Sequence, residues 1–219
     1  MIASGNAGKV REFAHLLADL PLDIRQQPEG LEVEETGATF AENARLKATA
    51  VALATGCWAL ADDSGLAVDA LGGAPGVHSA RYAATDPERI ARLLRELAAA
   101  TGACASDSPP GSTSASDPAG SSSDRSARFT AALAVADPSG AIVLEVEGHC
   151  PGLILAAPRG SGGFGYDPVF HVPELGLSFA EMDKATKGRI GHRGRAFALL
   201  EPRLRQLLGA QASAQPSGA

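Results

Sequence analysis

The apolar run Trp58-Ala59-Leu60-Ala61 leads without a break into two adjacent carboxylates, Asp62 and Asp63, and then into a Ser-Gly pair. This pattern predicts a strand that emerges from a buried sheet and is capped by the two acids, with a turn at Ser64-Gly65. In α/β proteins that end of a strand is where ligands bind. Side chains alternate faces along a strand, so one Asp is expected to face the core side or a cleft while the other supports the turn. Asp69 follows, and then Gly72, Gly73, Pro75 and Gly76 crowd into one segment where backbone can approach a ligand closely. On these residues alone an acidic strand cap competes evenly with catalysis, because Asp-Ser-Gly is also common turn chemistry.

The chain has 219 residues, enough for one substantial core. Its formal charge of -6 and 45% hydrophobic content describe a mildly acidic globular chain, which disfavours nucleic acid as a groove-bound partner. No apolar run reaches the roughly 18 residues that span a bilayer, and nothing resembles a signal peptide. The expectation is a cytoplasmic protein without a membrane partner. Cys57, Cys104 and Cys150 are scattered and odd in number, and are expected to be reduced.

Only Met1-Ile2-Ala3 precede a glycine-rich turn, so the first strand, and translation, are expected to begin upstream of Met1. Val10, Phe13, Leu17 and Leu20 fall at helical spacing, which makes Ser4, Gly5, Asn6, Ala7, Gly8 and Lys9 a loop feeding a helix N-terminus. Backbone amides, the helix dipole and Lys9 there favour a phosphate, against the alternative of a solvated glycine turn. It is not a Walker A loop, because the spacing is too short and Val10 stands where that motif needs Ser or Thr. Residues 21–37 read as strand and loop, ending in the acids Glu32, Glu34 and Glu35. Thr39 to Glu42 is a capping box, opening a helix that ends near Gly56. On it Asn43 and Lys47, four residues apart, share one face that could meet a polyanion or simply face water.

Further on, Asp86-Pro87 reads as N-cap and first position of a helix whose buried stripe is Ile90, Leu93, Leu94 and Leu97. Residues 103–126 are almost wholly Ser, Ala, Gly, Pro and Asp, and are expected to form a flexible insert. Two alternating runs around Asp137-Pro138-Ser139-Gly140 predict an antiparallel hairpin, and Gly152 to Ala156 a third strand. The segment from Pro158 to Phe170 mixes glycines with aromatics around Asp167, as a packed loop or a flat-ligand site would. Lys184, Lys187, Arg189, His192, Arg193 and Arg195 form a basic cluster that favours an anionic or electron-rich ligand. It precedes a last helix, and residues 210–219 are expected to be a disordered tail after a domain spanning 1–209.

Five segments, in this order, resemble the inosine triphosphate pyrophosphatases, the non-canonical purine nucleoside triphosphate pyrophosphatases. SGNAGKVREF is similar to that family's phosphate loop, EETGATFAENARLKA to its acidic turn and helix, and ADDSGLAVDALGGAPGVHSARY to its signature segment. GGFGYDPVF and KGRIGHRGRA are similar to its base-binding loop and C-terminal motif. Three positions depart from the family pattern: Gly191 stands for a usual Ser, His78 for Tyr and Ser4 for Thr.

The resemblance implies a single α/β domain with a long, bent mixed β-sheet flanked by helices and an active cleft between two lobes. It implies Mg²⁺-dependent hydrolysis of ITP, dITP and XTP to the monophosphate and pyrophosphate, by a homodimer. Asp63 is then the general base and a metal ligand, with Glu34 or Glu35 as the other metal carboxylate. Ser4 through Lys9, with Lys47, would hold the triphosphate and Ser64 would contact the substrate. Phe164, Gly165, Tyr166, Asp167, Lys187, His192 and Arg193 would grip the purine. The rival readings are a Maf-type nucleotide pyrophosphatase with another base preference, and a nucleotide-binding sensor without turnover.

Overall fold

Which face of the sheet each side chain takes follows from strand periodicity, and this parity places the site. The structure is a computed structural model that describes residues 1–102 and 125–214. Its six strands form one sheet in sequence order: β1 (Ile2–Ala3), β2 (Ala59–Val68), β3 (Ser126–Ala136), β4 (Ile142–Ile154), β5 (Phe170–Val172) and β6 (Leu177–Ser178). β1 pairs with β2 in parallel, whereas β4–β5 and β5–β6 are antiparallel, so the sheet is mixed as expected. The α-helices are α1 (Ala7–Leu16), α2 (Phe40–Thr55), α3 (Asp86–Ala100), α4 (Lys184–Ile190) and α5 (His192–Ala214).

The described residues gather into two compact units, the first within Met1–Ser64, Ala131–His149 and His192–Ala219, the second within Gly65–Thr130 and Cys150–Gly191. In the first unit, alternate strand residues sort into two cores. Leu60, Ala131, Leu133 and Val135 pack with Phe13 and Leu17 of α1 and Phe197 and Leu200 of α5. Ala59, Ala61, Ala132 and Ala134 pack instead with Ala44, Ala48 and Ala52 of α2, an alanine layer that lets helix and sheet approach closely. The second unit has its own core, built on Leu66, Leu93, Leu97, Phe129, Phe170 and Phe179, in which Phe129 and Phe170 meet edge to face at 4.7 Å.

Several local expectations hold. The Thr39 capping box is complete, Gly56 ends α2 in the left-handed region at φ 63°, and α3 buries Ile90, Leu93 and Leu97. Others do not. β2 does not stop at the two acids but runs on through Ser64-Gly65 to Val68, because burial on both faces overrides the turn preference of that pair. The expected second and third strands of the hairpin region are one strand, β4, which passes through Pro151 and Gly152. Residues 21–37 contribute only an isolated bridge from Gln26 to Ile2. α1 begins at Ala7 rather than Lys9, since Asn6 takes the N-cap. Thr85, not Asp86, caps α3, which leaves Asp86 on the first helical turn.

Residues 103–124 of the expected insert, with Cys104, lie outside the described residues, and Ser126 is already the first residue of β3. Of the expected tail, residues 210–214 are the end of α5, and 215–219 lie outside the described residues.

Candidate active site

β1 ends at Ala3, which lies opposite Ala61, so Asp62 is the first residue of β2 beyond the reach of its parallel neighbour. Its carbonyl accepts from two lysines instead: Lys47 Nζ at 2.9 Å and Lys9 Nζ at 3.4 Å. Two ammonium groups thus converge on one backbone oxygen beside the N-terminus of α1. Parity then divides the adjacent acids. Asp62 shares the side of Leu60, toward α1 and α5, and Asp63 the side of Ala61, toward α2.

On the first side, Asp62 Oδ2 accepts from Lys9 Nζ at 2.8 Å, Ser64 Oγ at 3.1 Å and Arg193 Nε at 3.3 Å. The guanidinium also donates to Ser64 Oγ at 2.7 Å and to Glu12 Oε2 at 3.3 Å. Burial pushes the Asp62 carboxyl up, but Lys9 and Arg193 outweigh it and hold it well below the ordinary carboxylate range. Asp62 Oδ1 is buried and makes no hydrogen bond among the described residues.

On the other side, α2 presents Asn43 and Lys47 one turn apart. Lys47 Nζ donates to Asp63 Oδ1 at 2.8 Å and to Glu35 Oε1 at 2.9 Å, while Asn43 Nδ2 donates to Asp63 Oδ2 at 3.2 Å. Burial pulls Lys47 down, yet Asp63 and Glu35 together hold it above its usual value. Asp63 is raised, by burial first and by the nearby Glu35, against the pull of Lys47. The two acids of one dipeptide therefore differ in kind: Asp62 stays ionised, and Asp63 is the better proton acceptor. Along the extended segment before α2, Glu32 and Glu34 are exposed and Glu35 is turned inward, so Glu35 is the acid brought to Lys47.

The phosphate loop differs from expectation in one respect. Asn6 Oδ1 accepts from the amides of Gly8 (2.8 Å) and Lys9 (3.2 Å), so these two amides serve the cap, and Asn6 N donates to Ser4 Oγ at 3.1 Å. Gly5 stands exposed ahead of Ala7, the first helical residue.

The residues expected to grip a purine fall into two groups. His192 and Arg193 belong to the first unit and are buried at the start of α5. The others belong to the second, where Asp167, 3% exposed, accepts from Lys187 Nζ and from the Phe164 amide at 2.8 Å. Phe164 is 42% exposed with Lys187 Nζ 5.3 Å from its ring centre, a flat apolar face beside a cation. Tyr166 points inward, its hydroxyl donating to the Ser79 carbonyl at 3.0 Å, and burial pushes its ionisation far up. Gly165 N donates to Asp86 Oδ2 at 2.7 Å, a contact open to Asp86 because Thr85 does the capping. Gly163 is required here: its φ is 75° and a side chain would run into the Asp167 carboxylate.

Sequence reasoning missed Glu12 and the roles of Asp62, Asn43 and Asp86. Glu12 had a signal, since it lies three residues after Lys9 on one helix face.

Glu35 and Asp63 both reach one cation, the Lys47 ammonium, so their oxygens already face a common point of positive charge. Two carboxylates gathered on one cation are an oxygen donor set that suits Mg²⁺, which takes one or two acids and completes its shell with water and phosphate oxygens.

A mixed α/β sheet that brings two lysines, an ion-paired Asp and a second buried Asp together just beyond the end of β1 presents a site suited to a polyanion. The comparisons narrow the class: a sequence model of the Ham1 family matches residues 1–108 and 112–203, and the chain belongs to that family. It is 58% identical over 211 residues to a dITP/XTP pyrophosphatase of Parasynechococcus marenigrum (strain WH8102), covering 96% of this chain and 97% of that one. Against a dITP/XTP pyrophosphatase of Synechococcus sp. (strain CC9311) it is 57% identical over 220 residues, covering 99% and 96%. Among solved structures, a HAM1 protein from Coxiella burnetii matches with a TM-score of 0.78 and 42% identity, over 94% of this chain and 97% of that one.

Proposed function

We propose that this protein hydrolyses non-canonical purine nucleoside triphosphates, dITP, XTP and ITP, to the monophosphate and pyrophosphate. The observation that carries the reading is the convergence of Lys9 and Lys47 on the Asp62 carbonyl, with the Asp63 carboxylate held beside them. A triphosphate brings about four negative charges, and cleavage between its α and β phosphates develops more on the leaving pyrophosphate, so positioned cations lower the barrier. Lys9, Lys47 and the N-terminus of α1 provide them.

Asp63, raised by burial, takes the proton from the attacking water. Asp62 cannot share that task, because its two cations lower its affinity for a proton; it fixes Lys9, Ser64 and Arg193 in place. Asp63 and Glu35, rather than Glu34, are the residues that would hold Mg²⁺. Bound there, the ion supplies positive charge against the phosphate oxygens. Within the second unit taken by itself, Phe164 offers a stacking face for a purine, and Lys187 beside it is a cationic donor of the kind that suits a keto oxygen at position 6, where adenine carries an amino donor.

We further propose a cytoplasmic homodimer, in keeping with the family. Among the described residues no helix is long and apolar enough to cross a membrane. Leu46 and Leu53, seven residues apart on α2, are 39% and 61% exposed and offer apolar surface for a second copy.

The test is Mg²⁺-dependent pyrophosphate release from dITP, XTP and ITP beside ATP, GTP and dTTP. Selective release from the first three is expected, and Asp63→Asn should abolish it while nucleotide still binds. Equal turnover of dTTP and dITP would instead indicate a Maf-type base preference.

A further inference from the structure

Asn43 is fully buried inside α2, where an asparagine costs helix propensity and where its amide must find partners on both sides. It does so in a way that cannot be inverted. Its Oδ1 accepts from the Gly37 amide at 2.8 Å and its Nδ2 donates to Asp63 Oδ2 at 3.2 Å. The Gly37 N–H can only donate and the ionised carboxylate can only accept, so the orientation of the Asn43 amide is fixed by chemistry. Gly37 is also pressed against the start of α2: a side chain there would lie 2.6 Å from Glu42 Cβ and 2.7 Å from Asn43 Oδ1. One buried carboxamide thus ties the turn that follows Glu35 and the strand that carries Asp63 to the same helix.

Lys47 holds the other oxygen of Asp63, but it is also one of the two cations at the strand edge. Were a polyphosphate to draw that ammonium away, Asp63 Oδ1 would lose its partner, while the contact from Asn43 to Oδ2 does not depend on Lys47. Asn43 is neutral, so it restrains the carboxylate by hydrogen-bond geometry alone.

Resting on the reading of Asp63 given above, we propose that Asn43 is a positioning residue for the hydrolysis, keeping the Asp63 carboxylate in place while Lys47 serves the triphosphate. Misplacement of a reacting group by about 1 Å can cost on the order of 100-fold in rate. Asn43→Ala removes both hydrogen bonds. Asn43→Asp keeps the acceptor for Gly37 and loses the donor to Asp63, so it also serves if the alanine variant folds poorly.

Both variants should lose about 100-fold in kcat with KM for dITP changed less than about threefold, since the triphosphate groups are untouched. Hydrogen exchange of the Gly37 amide, followed without metal or nucleotide, should stay slow in Asn43→Asp and become fast in Asn43→Ala. A merely structural latch predicts instead that Asn43→Asp keeps its kcat, and that result overturns the proposal. So does a loss confined to Asn43→Asp, which would reflect only the added charge. Asp63→Asn separates the two readings. If it is inactive while Asn43→Ala turns over normally, the inference alone fails; if it is active, the assignment of Asp63 fails and takes the inference with it.

Discussion

Replacing Asp62 by Asn removes the negative charge that Lys9, Ser64 and Arg193 share. The Asp62 side chain is 1% exposed and that of Arg193 5%, so neither charge has water to turn to. Removing one member of a buried pair typically costs about 3–5 kcal/mol, because the other is left uncompensated. Two features set the expectation at the low end. The Lys9 side chain is 17% exposed and can reach solvent, and Arg193 keeps Glu12 as a partner. A loss of about 3 kcal/mol corresponds to a fall in Tm of roughly 6–12 °C for a chain of this size.

Urea unfolding measures it, with an unchanged m-value expected if only the native state is affected. The pH dependence supplies a sign. A carboxyl held below its ordinary pKa stabilises the fold above the unfolded value, about pH 4, and that contribution is lost as pH falls through the folded value. The wild-type protein should therefore lose stability faster than Asp62→Asn below about pH 4, and the two curves should converge. A loss under about 1 kcal/mol at neutral pH, or curves that stay parallel into acid, would refute the account of Asp62 as the electrostatic hub.

Glu35→Gln should raise the Mg²⁺ concentration needed for half-maximal thermal stabilisation by at least about tenfold, whereas Glu34→Gln, on the exposed side of the segment, should stay near wild type. Lys47→Met should lower kcat/KM for dITP and, by leaving Glu35 and Asp63 facing each other without a cation, shift the pH–rate profile toward higher pH. Gly148→Ala on β4 should destabilise by about 3 kcal/mol in urea melts, since a Cβ would lie 2.5 Å from the His192 carbonyl oxygen and nearer still to the Ala196 amide, both backbone atoms.

The motifs that carry the chemistry were legible because each is local. The Thr39 capping box, the four-residue spacing of Asn43 and Lys47, and the adjacency of Asp62 and Asp63 are all relations within a single element. Element ends were less legible. Ser64-Gly65 and Asp86-Pro87 have strong local preferences, and both yielded to neighbours: burial carried β2 onward, and Thr85 took the cap.

Sequence by itself determined the alternation that sends Asp62 and Asp63 to opposite faces, and the family to which the chain belongs. Only the tertiary structure decided what waits on each face. Arg193 reaches Asp62 across 131 positions of chain, and Lys47 joins Glu35 rather than Glu34 to Asp63. Periodicity fixes the direction of a side chain within its own strand or helix, whereas its partner is chosen by which elements pack there. That choice in turn sets whether a carboxylate is held ionised or left able to take a proton.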